Sequence, residues 1–204
     1  MTLSEFDNEI RKDYNVVCGC DEAGRGPLAG DVFAAAVIFD KDTVIEGIND
    51  SKKLTAKKRE ELLDEIMEKA VDFSIQTATV EEIEDINILN AAMLAMKRAV
   101  EDMDTKPDVC LIDGNKTPEG LECPAIAVVK GDAKSQAVAA ASILAKVARD
   151  RYMEQMAEQY PEYRFEKHKG YGTKLHYQMI DQYGPCGIHR MSFLKKYYAK
   201  KNGH

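Results

Sequence analysis

The feature that most restricts the fold is a pair of short apolar runs near the start of the chain. VVCGC (16–20) and VFAAAVIF (32–39) are separated by the glycine-rich segment EAGRGPLAG (22–30). Apolar runs of this length, bounded by glycine and proline, are typical of buried strands. We therefore predict two strands joined by a turn and paired as antiparallel neighbours.

Further elements follow from similar patterns along the chain. Three more short runs predict strands: FSIQTAT (73–79), DVCLID (108–113) and AIAVV (125–129). Thr55 and Thr79 stand where helix N-caps are expected, and Thr79 has Glu82 at capping-box spacing. Periodic apolar residues predict a helix after Thr55, one near 88–103, a long one over 134–158 and two short ones, the last near 190–200.

The order of these elements indicates the class of fold. Three leading strands, a helical stretch and then alternation of strand and helix predict an α/β domain, with a mixed five-stranded sheet flanked by helices. We expect residues 1–159 to form this domain and residues 160–204 to form a small C-terminal helical extension.

Composition indicates the environment of the chain. No stretch approaches the roughly 18 apolar residues that a membrane span requires, and the polar N-terminus lacks the apolar core of a secretory signal. The five cysteines are too scattered for a disulfide framework. We interpret Cys18 and Cys20 as buried apolar residues rather than a metal pair. These features predict a cytoplasmic protein with no membrane partner.

The charge of the chain is unevenly placed. The net charge of −7 at first argues against a nucleic-acid partner. Residues 164–204, however, hold nine lysine or arginine residues and two acids, which makes this segment +7 and the remainder −14. A polyanion could meet this basic C-terminal surface, although an ordinary solvated basic helix has the same pattern.

Two adjacent carboxylates, Asp21 and Glu22, directly follow the first predicted strand. They repel each other and lose hydration unless a cation compensates them, or unless both simply lie at a solvated strand end. Successive side chains of a regular strand point to opposite faces. Both acids can therefore reach one ion only if the strand is irregular or if one contributes its backbone carbonyl.

Two further acids are candidates for the same pocket. Asp113 ends the apolar run VCLI, where ligand sites of sheets gather, although an Asp-Gly turn is common there. On the long helix, polar side chains form one stripe: Ser142, Lys146, Arg149 and Asp150. Asp150 either joins the other acids or forms an intrahelical pair with Lys146. Carboxylates without histidine or cysteine suit Mg²⁺ or Mn²⁺, and paired ions of this kind cleave phosphodiesters.

The glycine-rich segment adds candidates for phosphate binding. Gly24 and Gly26 let the backbone approach a ligand, and Arg25 offers a forked donor, although a lone GRG is often only a flexible turn. Other candidates for contacts with a nucleic acid are lysines and one aromatic residue: Lys52, Lys53, Lys146, Lys169 and Tyr171.

Together these motifs resemble bacterial ribonuclease HII, the type 2 ribonuclease H family. The similarity covers about residues 15–198, and it is carried by CDEAGRGPLAG (20–30), NDSKKLTAKKREEL (49–62), LIDGN (111–115), VKGDAKSQAVAAASILAKVARDRYM (129–153), HKGYGT (168–173) and HRMSF (189–193). Asp31 and Cys20 depart from the family pattern without replacing a functional position. The related ribonuclease HIII carries a different glycine motif and a further N-terminal domain.

The resemblance implies a ribonuclease H-like fold and two-metal cleavage of RNA in RNA–DNA hybrids, and also 5′ of single ribonucleotides in duplex DNA. The products implied are 5′-phosphate and 3′-hydroxyl ends. The metal-binding acids of the family fall on Asp21, Glu22, Asp113 and Asp150. We expect Asp21 to be shared by both ions, Asp113 and Asp150 to hold one each, and Glu22 to add a carbonyl or an outer carboxylate.

The substrate side also follows from the resemblance. The GRG element is expected to read the ribose 2′-hydroxyl, and Tyr171 to stack beneath the next deoxyribose. The expected partners are RNA–DNA hybrid and ribonucleotide-containing duplex, bound by a monomer. Two alternatives remain, a hybrid-binding protein without catalysis and a DNA nuclease or junction resolvase on the same fold. Converging acids argue against the first, and GRG with Tyr171 against the second.

Overall fold

The computed structural model describes residues 1–48 and 55–201, in which five strands form one mixed sheet. The strands are β1 (Val17–Ala23), β2 (Val32–Ile38), β3 (Asp72–Ala78), β4 (Val109–Asp113) and β5 (Ala125–Val128). Their order across the sheet is β3-β2-β1-β4-β5. β1–β2 and β2–β3 are antiparallel, whereas β1–β4 and β4–β5 are parallel. The predicted mixed five-stranded sheet, including the antiparallel first pair, is confirmed.

Seven α-helices lie within the described residues: α1 (Leu3–Ile10), α2 (Ala56–Lys69), α3 (Val80–Glu101), α4 (Gln136–Gln159), α5 (Phe165–His168), α6 (Lys174–Tyr183) and α7 (Met191–Lys201). Short 3₁₀ turns occur at Gly131–Ala133 and Pro161–Tyr163. Thr55 and Thr79 cap α2 and α3 as predicted. α3 starts earlier than the expected residue 88 because it is bent at Asn87 (φ 67°), whose side chain caps the second half.

The two faces of the sheet bury different helices. α3 covers the face that carries Cys18 and Cys20, and both thiols are fully buried, as predicted. α4 covers the other face and runs directly over β1. Gly19 lies at this crossing, where an added Cβ would stand 2.2 Å from backbone atoms of Ala137 and Val138. The glycine therefore allows the helix backbone to touch the strand.

The C-terminal residues pack onto the main domain rather than apart from it. Tyr163 and Phe165 share a buried cluster with Ala29 of the β1–β2 connection and Met153 of α4. Ser192, at the start of α7, donates from its backbone and its hydroxyl to the carboxylate of Glu84 on α3. The extension thus closes over the connection between β1 and β2. Within the described residues, every helix is too short or too polar to cross a membrane.

Gly19→Ala tests the contact between α4 and β1. The new methyl group would meet backbone atoms that cannot move without shifting the helix, so we expect the free energy of unfolding to fall by about 3 kcal/mol. Urea denaturation measures the change. Gly187→Ala is the matched control, because Gly187 is exposed and its nearest neighbour would lie at 3.5 Å. Equal stability of the two variants would show that α4 does not lie on Gly19.

Candidate active site

The two adjacent acids lie inside β1 and not after it. The pairing with β2 continues without a break through Asp21↔Ala35 and Glu22↔Ala34. The prediction that the strand ends at Cys20 was therefore wrong. Backbone pairing with β2 continues β1 through Asp21 and Glu22, although both residues are polar. In a regular strand Asp21 faces α4, and Glu22 points to the opposite face.

Asp21 and Asp113 lie side by side on the face covered by α4. The parallel register pairs Cys20 with Ile112, so the next residue of each strand, Asp21 and Asp113, occupies neighbouring positions. Asp21 is only 4% exposed and accepts hydrogen bonds from the backbone N–H of Glu22 (2.7 Å) and from Ser142 on α4. Burial, followed by repulsion from Glu22 and Asp113, raises the pKa of Asp21 well above its ordinary value.

A further buried acid, Asp132, lies next to this pair, and sequence reasoning did not single it out. The backbone N–H of Gly131 donates to Oδ1 of Asp113 at 2.6 Å, and Asp132 is the next residue. Asp113 is the last residue of β4, and Asp132 comes shortly after the end of β5. The carboxyl ends of these neighbouring parallel strands lie on the same side of the sheet. That position past a predicted strand was a signal available in the sequence.

Asp150 lies among cations rather than beside Asp21. Its carboxylate pairs with Lys146 at 2.5 Å and lies 3.9 Å from Arg59 of α2. Ser142, which contacts Asp21, precedes Asp150 by eight residues, or about 12 Å along the helix axis. The intrahelical alternative is therefore the arrangement observed, and Asp150 does not join the buried acids here. Lys146, a predicted substrate contact, is engaged in the same pair.

The acidic residues suit a cation, although they are not arranged as a complete metal site. Among the described residues, no three histidine, cysteine, aspartate or glutamate side chains converge as ligands of one ion. The buried carboxylate of Asp21 nevertheless has two acidic neighbours that disfavour its charged form. A bound divalent cation would reverse this effect, and the available donors are oxygen atoms, which hard cations prefer.

The GRG segment is held from beneath by Arg190, the residue immediately before α7. Its fully buried guanidinium donates to the backbone carbonyls of Gly24, Arg25, Pro27 and Gly30, at 2.6–3.3 Å. Burial lowers the pKa of Arg190 to about 9. Because five hydrogen bonds converge on one rigid group, the connection between β1 and β2 keeps a defined shape.

Arg149 of α4 is a second fully buried arginine under the same segment. It donates to the carbonyls of Ala29, Asp31 and Lys169, at 3.1–3.2 Å. Gly24 has φ of +104°, and a Cβ there would stand 2.2 Å from Nε of Arg149. Glycine is therefore required for both conformation and space. The polar stripe on α4 was recognised in the sequence, but this supporting contact was not.

The structure brings the predicted substrate-reading residues together. Tyr171 is 44% exposed, and its ring lies 3.6 Å from the point where a Cβ on Gly26 would stand. The guanidinium of Arg149 lies 5.9 Å from the centre of that ring. Arg25 is exposed and pairs with Glu22 at 3.2 Å, which links the GRG segment to the acids.

The predicted lysines are placed less clearly. Lys169 donates to Glu154 at 2.7 Å, so part of its charge is already compensated. Lys52 and Lys53 lie outside the described residues.

Comparison with known proteins supports the resemblance seen in the motifs. The family model "Ribonuclease HII" matches residues 18–196. Ribonuclease HII of Caldicellulosiruptor saccharolyticus is 54% identical over 189 residues, covering 93% of this chain and 92% of the relative. The protein of the same name from Idiomarina loihiensis is 58% identical over 178 residues, covering 87% and 95%. The crystal structure of ribonuclease H2 from Pyrococcus horikoshii superposes with a TM-score of 0.72 at 29% identity, covering 87% and 93%. The ribonuclease H-like fold is thereby confirmed.

Asp21→Asn should stabilise the metal-free protein. The pKa of Asp21 is raised above 3.8 in the folded state, so protonation of Asp21 stabilises the fold. This stabilisation is fully present below a pH of about 3.8. This contribution is lost as the pH rises through the folded-state pKa. At about pH 8 in a chelator, asparagine removes the buried charge, and we expect the Tm to rise by about 3 °C, equivalent to about 1 kcal/mol.

Thermal unfolding followed by circular dichroism measures this effect, and the gain should shrink as the pH is lowered toward about 4. Glu158→Gln is the control, since it removes the same charge from an exposed position on α4 and should leave the Tm unchanged. A lower Tm for Asp21→Asn at the higher pH would contradict the acidic clustering.

Proposed function

Since this chain belongs to the ribonuclease HII family and is an endoribonuclease for the RNA of RNA–DNA hybrids, we propose that its clustered acids carry a two-metal hydrolysis. We also propose that it cuts 5′ of single ribonucleotides in duplex DNA, leaving 5′-phosphate and 3′-hydroxyl ends. The observation that carries this proposal is the placement of Asp21 beside Asp113, with the GRG segment and Tyr171 at the same end of β1.

The cation-holding residues proposed are Asp21, as the shared ligand, and Asp113. Asp132 is the third, because it is buried one residue from the N–H group that binds Asp113. Glu22 leaves β1 on the other face, so its backbone carbonyl or an outer carboxylate contact is the contribution we assign. When bound, two Mg²⁺ or Mn²⁺ ions activate water and stabilise the attacking and leaving oxygens. Asp150, the fourth acid predicted, is the alternative to Asp132 for the remaining ligand position, and its pairing with Lys146 makes it the less favoured of the two.

Substrate selection is assigned to the turn beside the acids. Gly24 permits the turn through its positive φ, Gly26 exposes backbone toward the substrate, and Arg25 supplies a charged donor. Tyr171 presents an exposed ring against Gly26, which suits stacking on a sugar or base. A backbone turn held by two buried arginines can test for a 2′-hydroxyl, because its N–H and C=O groups do not move to accommodate other substrates.

The C-terminal extension, residues 160–204, is proposed to contribute to binding of the duplex backbone. Its charge is partly used within the protein, since Arg190 is buried and Lys201 pairs with Asp181 at 2.7 Å. Lys195 and Lys196 on α7 are exposed and remain the best candidates for phosphate contacts. We further propose that the protein acts as a monomer in the cytoplasm, in keeping with its five free cysteines.

The assignment of the acids is tested by three single variants. Asp21→Asn should fold and yet lose cleavage by at least about a thousandfold, since the shared ligand is gone. Asp132→Asn should lose a similar amount, whereas Asp150→Asn should keep activity within about tenfold, because its carboxylate is paired with Lys146. Single-turnover cleavage of a 5′-labelled substrate measures these rates.

The substrate panel for these assays contains an RNA–DNA hybrid, a DNA duplex with one ribonucleotide and an all-DNA duplex, each with Mg²⁺ or Mn²⁺. Cutting of the first two and not the third is expected. Near-normal turnover by Asp21→Asn would refute the proposed chemistry, and loss of activity in Asp150→Asn but not Asp132→Asn would reverse their assignment. Cleavage of the all-DNA duplex would favour a general DNA nuclease.

The basic surface is tested by the double variant Lys195→Gln/Lys196→Gln. If both lysines meet phosphates, the slope of log Kd against log salt should become shallower by about 1.8, as expected for two lost contacts. Fluorescence anisotropy of a labelled duplex, measured with Asp21→Asn to prevent cleavage, gives the slope. Lys12→Gln/Lys106→Gln makes the same charge change just before the amino ends of β1 and β4, away from the ends of these strands that carry the acids. It should leave the slope unaltered.

A further inference from the structure

Three buried histidines lie directly beneath the loop that carries Tyr171. His168 on α5, His176 on α6 and His189 before α7 are 7%, 0% and 3% exposed. The rings of His168 and His176 stack with centroids 4.3 Å apart, and those of His176 and His189 lie 5.1 Å apart. Phe165 packs against all three. Neither the sequence motifs nor the proposed chemistry assigns a role to this histidine cluster.

The hydrogen bonds of the cluster assign a single tautomer to two of the rings. The backbone N–H of Cys186 donates to Nδ1 of His189 at 2.9 Å, so a neutral His189 carries its proton on Nε2. That nitrogen lies 3.0 Å from Nε2 of His176, which must then accept. The proton of His176 is therefore on Nδ1, where it donates to the carbonyl of Tyr171 at 3.0 Å. A directed chain of hydrogen bonds runs from Cys186 to Tyr171.

This chain requires both rings to be neutral. A proton added to Nε2 of His176 would oppose the N–H of His189 across 3.0 Å, and one added to Nδ1 of His189 would oppose the backbone N–H of Cys186 across 2.9 Å. Burial is the largest cause that lowers the pKa of His176 and of His189 to about 4, and positive charge on His168 acts in the same direction on both.

The other ionisable groups facing the pair do not favour its charged form. They are Cys186, whose thiol lies 3.1 Å from Nδ1 of His189, and Tyr163, whose ring packs on His189. Two acids act on the surroundings of the pair, Glu166 on His168 and Glu162 on Cys186. The two rings therefore remain neutral at the pH at which the protein would work.

The loop held in this way is connected to the GRG segment. The carbonyl of Gly170 accepts from the backbone N–H of Leu28 at 2.8 Å, and the N–H of Gly170 approaches Nδ1 of His168 at 3.3 Å. The ring of Tyr171 extends outward, beside Gly26. A displaced Tyr171 carbonyl would therefore move the ring relative to the turn that faces the substrate.

We propose that His176 and His189 are positioning residues, which hold the Tyr171 carbonyl through a directed pair of neutral rings and so place the Tyr171 ring for stacking on substrate. This inference rests on the proposed role of Tyr171 in substrate binding. His189 orients His176, and His176 is the residue that touches the loop.

Steady-state kinetics on a duplex with one embedded ribonucleotide tests the proposal. His176→Leu removes the side-chain donor and leaves the Tyr171 carbonyl only the backbone N–H of Thr173, so it should raise KM about fivefold, with kcat within about twofold, as expected for one lost neutral hydrogen bond. His176→Asn places an amide donor near Nδ1 and should restore most of the loss. Tyr163→Phe is the matched control: it removes a buried hydroxyl that donates to Gly184 at 2.7 Å in the same cluster, and KM should not change.

A double-mutant cycle separates this inference from the proposed role of Tyr171. Tyr171→Ala should raise KM at least as much as His176→Leu, and His176→Leu should add nothing in the Tyr171→Ala background. If Tyr171→Ala leaves KM unchanged, its stacking role fails, and the positioning role fails with it. If Tyr171→Ala raises KM but His176→Leu does not, or if the two effects simply add, only the positioning role fails.

A spectroscopic measurement tests the tautomers independently of substrate. In ¹⁵N-histidine-labelled protein at neutral pH, long-range ¹H–¹⁵N spectra should show His176 protonated on Nδ1 and His189 on Nε2. Neither ring should titrate near 6.5, the ordinary pKa of histidine. The opposite tautomers, or titration of either ring near that value, would overturn the proposed chain of hydrogen bonds.

Discussion

The contact of α4 with β1 is the interaction on which the rest of the site depends. Gly19 lets the helix backbone lie against the strand, and the two elements then run alongside each other toward the acidic end. Along this line Ser142 reaches Asp21, and two turns later Arg149 reaches the backbone around Gly24. One helix thus positions both the buried carboxylate and the turn that would face substrate. A side chain at Gly19 would displace both together.

The site has two parts, the acids and the backbone of the GRG connection, and buried charges of opposite sign occur in them. The acids of β1 and β4 are close together and Asp21 is buried, which raises the pKa of Asp21 and costs stability until a cation binds. The buried arginines, Arg149 and Arg190, are instead compensated by carbonyl oxygens of the GRG connection and the Tyr171 loop. The first arrangement is prepared to accept positive charge, whereas the second uses positive charge to keep a backbone in place.

The sequence predicted what local patterns determine. The five strands, the caps Thr55 and Thr79 and the antiparallel first pair follow from apolar periodicity and turn residues, and they are confirmed. The placement of Asp21 and Glu22 after the strand was wrong, because ladder pairing with β2 extends β1 through polar residues. Helical spacing put Asp150 and Lys146 on one stripe, but spacing alone could not decide whether the stripe meets other acids or pairs internally.

The remaining features depend on contacts between distant parts of the chain. Arg190 binds carbonyls 160–166 residues earlier, and His176 meets His189, 13 residues later, only because the chain turns back after α6. Neither contact produces a periodic pattern in the sequence from which it could be predicted. Asp132 was partly predictable from the sequence. Its position after β5 follows the same strand-end rule as Asp113, whereas its burial depends on the tertiary fold.

The most direct measurement is a pH titration of the Asp21 carboxyl carbon by ¹³C NMR, with and without Mg²⁺. In metal-free protein its midpoint should lie well above the ordinary value of 3.8, because the group is buried beside Glu22 and Asp113. Added Mg²⁺ should lower the midpoint, since the ion favours the charged carboxylate. A midpoint at or below 3.8 in metal-free protein, with no response to Mg²⁺, would contradict a cation site built on Asp21.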